Sequence, residues 1–268
     1  MKRRSWTCML ALALIVAATG RASAGAATWG TDNQHQLVPA YFYPNWWNTS
    51  NDWYRMCDAM NTTGGASTAV MNPDGGPGAA TNPDYAQALA HCHAVGQRVV
   101  GYVHTSYASR PIADVGADID AFYASYPGID GILVDEMSTD PATRSYYASI
   151  YARVHAEPGV HQVVGNPGGT PSTAWQLTAP VADILVVFEG TGSQYLDWTP
   201  PAWLGGVAAG QISHLVYSTP SEVTMQQVCA RSKTLNAGNM YVTGDDLPNP
   251  WDTLPAPTYW TSSVAACR

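Results

Sequence analysis

Eight short apolar segments recur along this chain, and their spacing constrains the fold more than any other feature. They are LVPAYFY from Leu37, TAVMN from Thr68, RVVGYVHT from Arg98, GILVDEM from Gly131, HQVVGN from His161, ILVVFEG from Ile184, ISHLVYS from Ile212 and NMYVTGD from Asn239. The mean interval is about 29 residues, the length of a strand–loop–helix–loop unit. Near-continuous apolar strands imply burial on both faces, as in a parallel sheet. Helices are signalled between them. NPDYAQALAHCHAVG offers Asn82 as cap, Pro83 at the first helical position and Gly96 as stop. TDPATRSYYASIYARVHAEPG repeats the pattern with Asp140, Pro141 and a terminal Pro158-Gly159, and Ser221 caps PSEVTMQQVCARSKTLNAG. Eight such units predict a single-domain (β/α)8 TIM barrel. An open doubly wound sheet is the alternative, but no G-x-G-x-x-G or phosphate-cradling loop follows any strand.

The N-terminus reads as a leader. Lys2, Arg3 and Arg4 precede an apolar run from Cys8 to about Ala18, and Ala22-Ser23-Ala24 fits a cleavage site. Residues 1–24 are therefore expected to be a signal peptide and 25–268 the barrel domain, secreted after cleavage near Ala24. No later stretch has the roughly 18 apolar residues of a membrane span. The leader carries four of the twelve basic residues and none of the twenty acids, which leaves a balance of −12. Such a surface repels nucleic acid and anionic membranes and tolerates or attracts a cationic substrate. Four cysteines remain, and an even number in an exported chain reads as two disulfides. Of three pairings, Cys57–Cys92 and Cys229–Cys267 are favoured, because each would join consecutive outer helices. The HCH tract from His91 to His93 resembles a metal motif, but residues two apart do not share a helix face. No metal or cofactor is expected, and the chain is expected to act as a monomer.

A barrel forms its active site at the carboxyl ends of its strands, and there this sequence collects polar residues. In strand order they are Tyr41 and Tyr43, Asn72, His104 with Thr105 and Tyr107, Asp135 with Glu136, Asn166, Glu189, Tyr217, and Asp245 with Asp246. A carboxylate that follows ILV or LVVF leaves water only if something offsets its desolvation. Glu189, after Val186-Val187-Phe188, should have a raised pKa, as a general acid requires. Asp135 and Glu136 should diverge, because strand side chains alternate. Opposed carboxylates are what glycoside hydrolysis needs: one protonates the leaving oxygen, and the other attacks the anomeric carbon or activates water. Tyr43, Asn72, His104, Tyr107, Asn166, Tyr217 and Asp245 are the candidate substrate contacts. His104 fits a structural histidine equally well, Asn72 and Asn166 fit turn formers, and Asp245 with Asp246 fits a loop-shaping pair. Fifteen Tyr and ten Trp against three Phe suit a cleft that stacks on sugar rings. There is no G-x-S-x-G elbow and no H-E-x-x-H.

The segments VMNPDGGPG (Val70 to Gly78), GYVHTSYASRP (Gly101 to Pro111), GIDGILVDEM (Gly128 to Met137), GNPGG (Gly165 to Gly169), VVFEG (Val186 to Gly190) and NPWDTLP (Asn249 to Pro255) form an ordered set across almost the whole mature chain. Together they resemble the spherulin-4 family, also called spherulation-specific family 4 and similar to glycoside hydrolase family 135. The resemblance implies a (β/α)8 barrel that cleaves α-1,4-linked galactosamine or N-acetylgalactosamine polymers internally. It also implies an acidic trio at Asp135, Glu136 and Glu189. His104 departs from the aromatic residue expected before TSY. A partly deacetylated galactosamine polymer is cationic, which matches the acidic chain. In an α-linked N-acetylgalactosamine the acetamido group lies cis to the leaving group and cannot attack from the back face, so the enzyme must supply nucleophile or base. The hypothesis is retention, with Asp135 as nucleophile, Glu189 as acid/base and Glu136 in support; exchanged roles for Asp135 and Glu136 stay open. The alternatives are a non-catalytic glycan-binding wall or matrix protein and a glycosidase of another polysaccharide.

Overall fold

The computed structural model describes residues 34–45, 51–60 and 66–268. The leader and its cleavage site lie outside them. All eight expected strands form, and they close into a single parallel barrel in chain order. They are β1 (His35–Ala40), β2 (Thr68–Met71), β3 (Arg98–His104), β4 (Gly131–Asp135), β5 (Gln162–Gly165), β6 (Ile184–Thr191), β7 (Ile212–Tyr217) and β8 (Asn239–Val242). Pairing of His35 with Asn239 and Gln36 with Met240 joins the last strand to the first. Closure leaves no edge strand with unpaired backbone groups. Each strand is followed by an outer helix: α1 (Asp52–Met60), α2 (Pro83–Ala94), α3 (Ile112–Ser125), α4 (Arg144–His155), α5 (Trp175–Thr178), α6 (Gly192–Asp197), α7 (Glu222–Thr234) and α8 (Pro257–Ala266).

Local chemistry explains the helix boundaries. The Asn82 side chain accepts the Asp84 N–H ahead of Pro83, and Ser221 accepts the Thr224 N–H at the start of α7. Asp140 also caps, but over a short 3-10 turn, Pro141–Thr143, and α4 proper begins only at Arg144. The α5 and α6 helices are a turn or two long, so the fifth and sixth units are the thinnest part of the outer ring.

Both favoured disulfides are present. Cys57–Cys92 ties α1 to α2, and Cys229 of α7 bonds Cys267 just past α8. The HCH tract splits around its disulfide cysteine, since His91 pairs with Asp58 and His93 with Asp130. Gly131 opens β4 at φ +146°, where a Cβ would strike the Gln162 carbonyl of β5. Only glycine starts this strand so close to its neighbour, and this strand delivers Asp135. Among the described residues no helix is long and apolar enough to cross a membrane.

Candidate active site

Of the three acids at strand ends, two converge. Asp135 closes β4, Glu189 lies near the end of β6, and Asn166, just past β5, stands between them. The Asn166 amide nitrogen donates to both, 2.9 Å from Asp135 Oδ1 and 2.9 Å from Glu189 Oε2. The amide is oriented by its other end, whose oxygen accepts the Gly168 N–H at 3.0 Å. Two oxygens each 2.9 Å from one nitrogen are at most twice that distance, 5.8 Å, apart. The second Asp135 oxygen accepts the Tyr102 hydroxyl at 2.9 Å.

Both carboxyls are pushed above the ordinary range, and burial is the main cause in each. For Asp135 the Glu136 charge adds to the rise, while hydrogen bonds from the Glu136 N–H, Tyr102 and Asn166 act against it. For Glu189 the Asp135 charge adds, and the Asn166 amide and Trp251 indole act against it. The rise expected for Glu189 is thus present, and Asp135 shares it.

Glu189 faces inward because β6 is irregular. Val186 pairs with Ser213, but Phe188, not Val187, pairs with His214, and Glu189 then pairs with Leu215. One residue is extruded between Val186 and Phe188. Simple alternation from the bulge-free register would put Phe188 level with Leu215 and turn Glu189 to the outside. With the bulge, Phe188 points outward and packs on Tyr195 and Trp198, with ring centres 4.8 and 5.0 Å apart. Glu189 gains the barrel mouth.

Asp135 and Glu136 do diverge, though the cause is not alternation. The strand ends at Asp135, and Glu136 turns into the left-handed region, φ +51°. Its carboxylate accepts the Ser106 N–H at 3.1 Å and lies 3.6 Å from His104 Nδ1. It makes no bond to Asn166. Register sets His104 beside Asp135 on the rim, with Ser106 Oγ 3.4 Å from its Nδ1. Tyr107 is 59% exposed on the same loop. Tyr217 sits edge-on to Trp251 at 5.9 Å, one ring removed from Glu189. The Asn72 side-chain oxygen is buried without a partner among the described residues.

Two expected contacts are bonded to partners outside the carboxylate pair. The Tyr43 hydroxyl donates to Asp84 at the start of α2, 2.5 Å away. Asp245 accepts the Thr253 hydroxyl at 2.6 Å and the Asp246 N–H at 2.9 Å, which ties it into its own loop.

Three residues of the site were not among the expected contacts. Tyr41, just past β1, is the tyrosine that faces the acids. Burial, then the charges of Asp135 and Glu189, push its hydroxyl well above the phenol range, and its ring meets that of Tyr102 at 5.4 Å. Tyr102 holds Asp135. Trp251 touches Glu189 through its indole and accepts the Tyr41 N–H on its carbonyl at 3.1 Å, so the loop after β8 forms a wall of the site. Tyr102 was readable as the residue two before His104, on the same strand face. Trp251 lies in a loop and has no such periodic signal.

These features define a class, a closed parallel (β/α)8 barrel whose mouth holds two half-buried carboxylates bridged by one amide. Within it, the chain belongs to spherulation-specific family 4, whose model matches residues 36–267. It is 33% identical over 216 residues to Spherulin-4 of Physarum polycephalum, across 77% of this chain and 62% of that relative. The chain thus spans less than two thirds of the relative's length. Its fold is that of the crystal structure of Aspergillus clavatus Sph3 in complex with GalNAc. That match has a TM-score of 0.72 at 24% identity and covers 88% of this chain and 97% of the other.

Proposed function

We propose that the protein is a secreted glycoside hydrolase that cleaves α-1,4-linked galactosamine or N-acetylgalactosamine polysaccharide internally, with retention. The observation that carries this reading is the single Asn166 amide bonded to both Asp135 and Glu189. It limits the two oxygens that it bonds to a separation of 5.8 Å. Retaining enzymes hold their carboxyls about 5–5.5 Å apart, and inverting ones roughly 6.5–9.5 Å, which leaves room for a water.

The residues divide the work by surroundings. Asp135, anchored by Tyr102 and Asn166, attacks the anomeric carbon and forms the glycosyl–enzyme bond. Glu189, with its carboxyl raised by burial, gives its proton to the departing glycosidic oxygen. It then takes a proton from the water that releases the sugar from Asp135. The substrate class is supported by the family, by the GalNAc bound in Sph3, and by the acidic balance of the chain. The two disulfides between outer helices suit an oxidising compartment.

The test is mass spectrometry of soluble products after incubation with galactosamine-rich α-1,4 polymer, with Asp135→Asn alongside. Wild type should release oligomers, and the variant should bind polymer without cutting it. Release from chitin or α-glucan alone would change the substrate; polymer binding without release by either protein would favour a binding protein. Products that first appear as the inverted anomer would refute the retaining assignment.

A further inference from the structure

Ser106, Tyr107 and Ala108 are three consecutive non-glycine residues in the left-handed region, with φ of +46°, +56° and +69°. L-residues visit this region rarely and singly. Neither Gly nor Asn is present to ease the turn, so it is held from outside. The Ser106 N–H donates to Glu136 Oε2 at 3.1 Å, and the Tyr107 N–H to the Glu136 carbonyl at 2.8 Å. The Thr105 hydroxyl reaches the same carbonyl at 2.8 Å. Arg110 closes the loop, its N–H on the Thr105 carbonyl at 3.1 Å and its guanidinium on the His104 carbonyl at 3.2 Å. Glu136 is itself left-handed. Strained backbone on two neighbouring loops is therefore bonded together beside Asp135, and such strain clusters at ligand clamps.

What the turn holds up is Tyr107. Its ring is 59% exposed. Among the described residues its hydroxyl has no hydrogen-bond partner and its ring no aromatic neighbour. Its amide nevertheless rests on the residue next to Asp135. A rigid backbone beneath an unpartnered aromatic ring is the arrangement of a binding platform.

We propose that Tyr107 is a stacking platform for a pyranose ring of the bound polysaccharide, and that Glu136 is the positioning residue that sets the left-handed turn beneath it. This rests on the glycosidase reading above. A Tyr face covers the apolar C–H face of a sugar and leaves the polar edges solvated. The ammonium of an amino sugar adds cation–π attraction. Glu136 acts through the Ser106 N–H, a bond that needs an acceptor oxygen and not a proton carrier.

The experiment is steady-state kinetics on the galactosamine polymer across pH, with melting curves, for wild type, Y107A, E136A, E136Q and the E136A/Y107A pair. Y107A should raise KM about tenfold and leave kcat within about threefold. E136A should do the same, and the pair should be no worse than either single change, because both remove one platform. E136Q keeps an oxygen for the Ser106 N–H, so it should recover most of the E136A loss with both limbs of the pH profile retained, the acidic limb moving to lower pH because the charge that helps raise Asp135 is gone. If E136A does not fold, Y107A and E136Q decide the matter. A wild-type KM in Y107A would overturn the platform. A hundredfold loss of kcat in E136Q, with a limb of the pH profile gone, would overturn the positioning role in favour of proton transfer. Wild type inert on every polymer would defeat the glycosidase reading itself, whereas an active wild type with an unaffected Y107A defeats only this inference.

Discussion

Replacing Asn166 by alanine removes the one group that touches both carboxylates, and the structure sets the size of the effect. With the two bonded oxygens at most 5.8 Å apart, two ionised carboxylates repel by about 3 kcal/mol at an effective dielectric of 20. The amide offsets that repulsion with two charge-assisted bonds, each worth roughly 1.5–3 kcal/mol. It also lowers the pKa of both acids against the rise caused by burial. Without it both carboxyls move further up. With Asp135 as the proposed nucleophile, the acidic limb of the rate profile should shift to higher pH. With Glu189 as the proposed acid, the basic limb should shift the same way. The bell therefore slides towards alkali, and its height falls by about 10²–10³, the usual loss for one active-site donor. The assay is kcat/KM on the polymer across pH, with circular dichroism to confirm the fold. Activity within about threefold of wild type and an unmoved profile would refute the claim that Asn166 organises the pair.

Other consequences follow from the same geometry. Asp135 and Glu189 have raised pKa values in the folded chain, so each is a destabilising charge above its folded pKa and costs nothing once both folded and unfolded forms are protonated. E189Q should therefore abolish turnover and raise Tm at pH 7, and the gain should vanish at acid pH; a lower Tm at pH 7 would contradict it. Tyr41 lies beside both acids, half-buried, and its hydroxyl has no hydrogen-bond partner among the described residues. Y41F should keep the wild-type Tm and lose about tenfold in kcat/KM, and an unchanged kcat/KM would remove Tyr41 from the site. His214 is buried against Tyr195, 2.7 Å away, and burial pushes its pKa down to about 3. The unfolded chain takes up this proton below about pH 6.5 and the folded chain does not, so stability falls by about 1.4 kcal/mol per pH unit between 6.5 and 3. H214Q should flatten that slope in denaturant titrations, and an unaltered slope would assign acid unfolding to other groups.

Much of this was legible in the chain itself. The eight strands, their spacing, the caps at Asn82 and Ser221 and the helices that carry the paired cysteines are local patterns of burial and backbone preference, and locality is what a sequence displays. Asp135 and Glu189 were visible as acids at the ends of apolar strands, because burying such a group needs a reason. The tertiary structure alone decided which way they point. A bulge at Val187 turns Glu189 inward, and its register depends on β7, some 25 residues away. Tyr41 faces the acids while Tyr43 binds α2, since the first strand ends at Ala40 and the chain then bends. Asn166, equally readable as a turn former, became the bridge only when β4 and β6 closed on either side of it. The left-handed run of Ser106, Tyr107 and Ala108 has no glycine to announce it, because Glu136 imposes it from another loop. Local preference chose the elements; side-chain direction at the barrel mouth came from contacts between strands far apart in the chain.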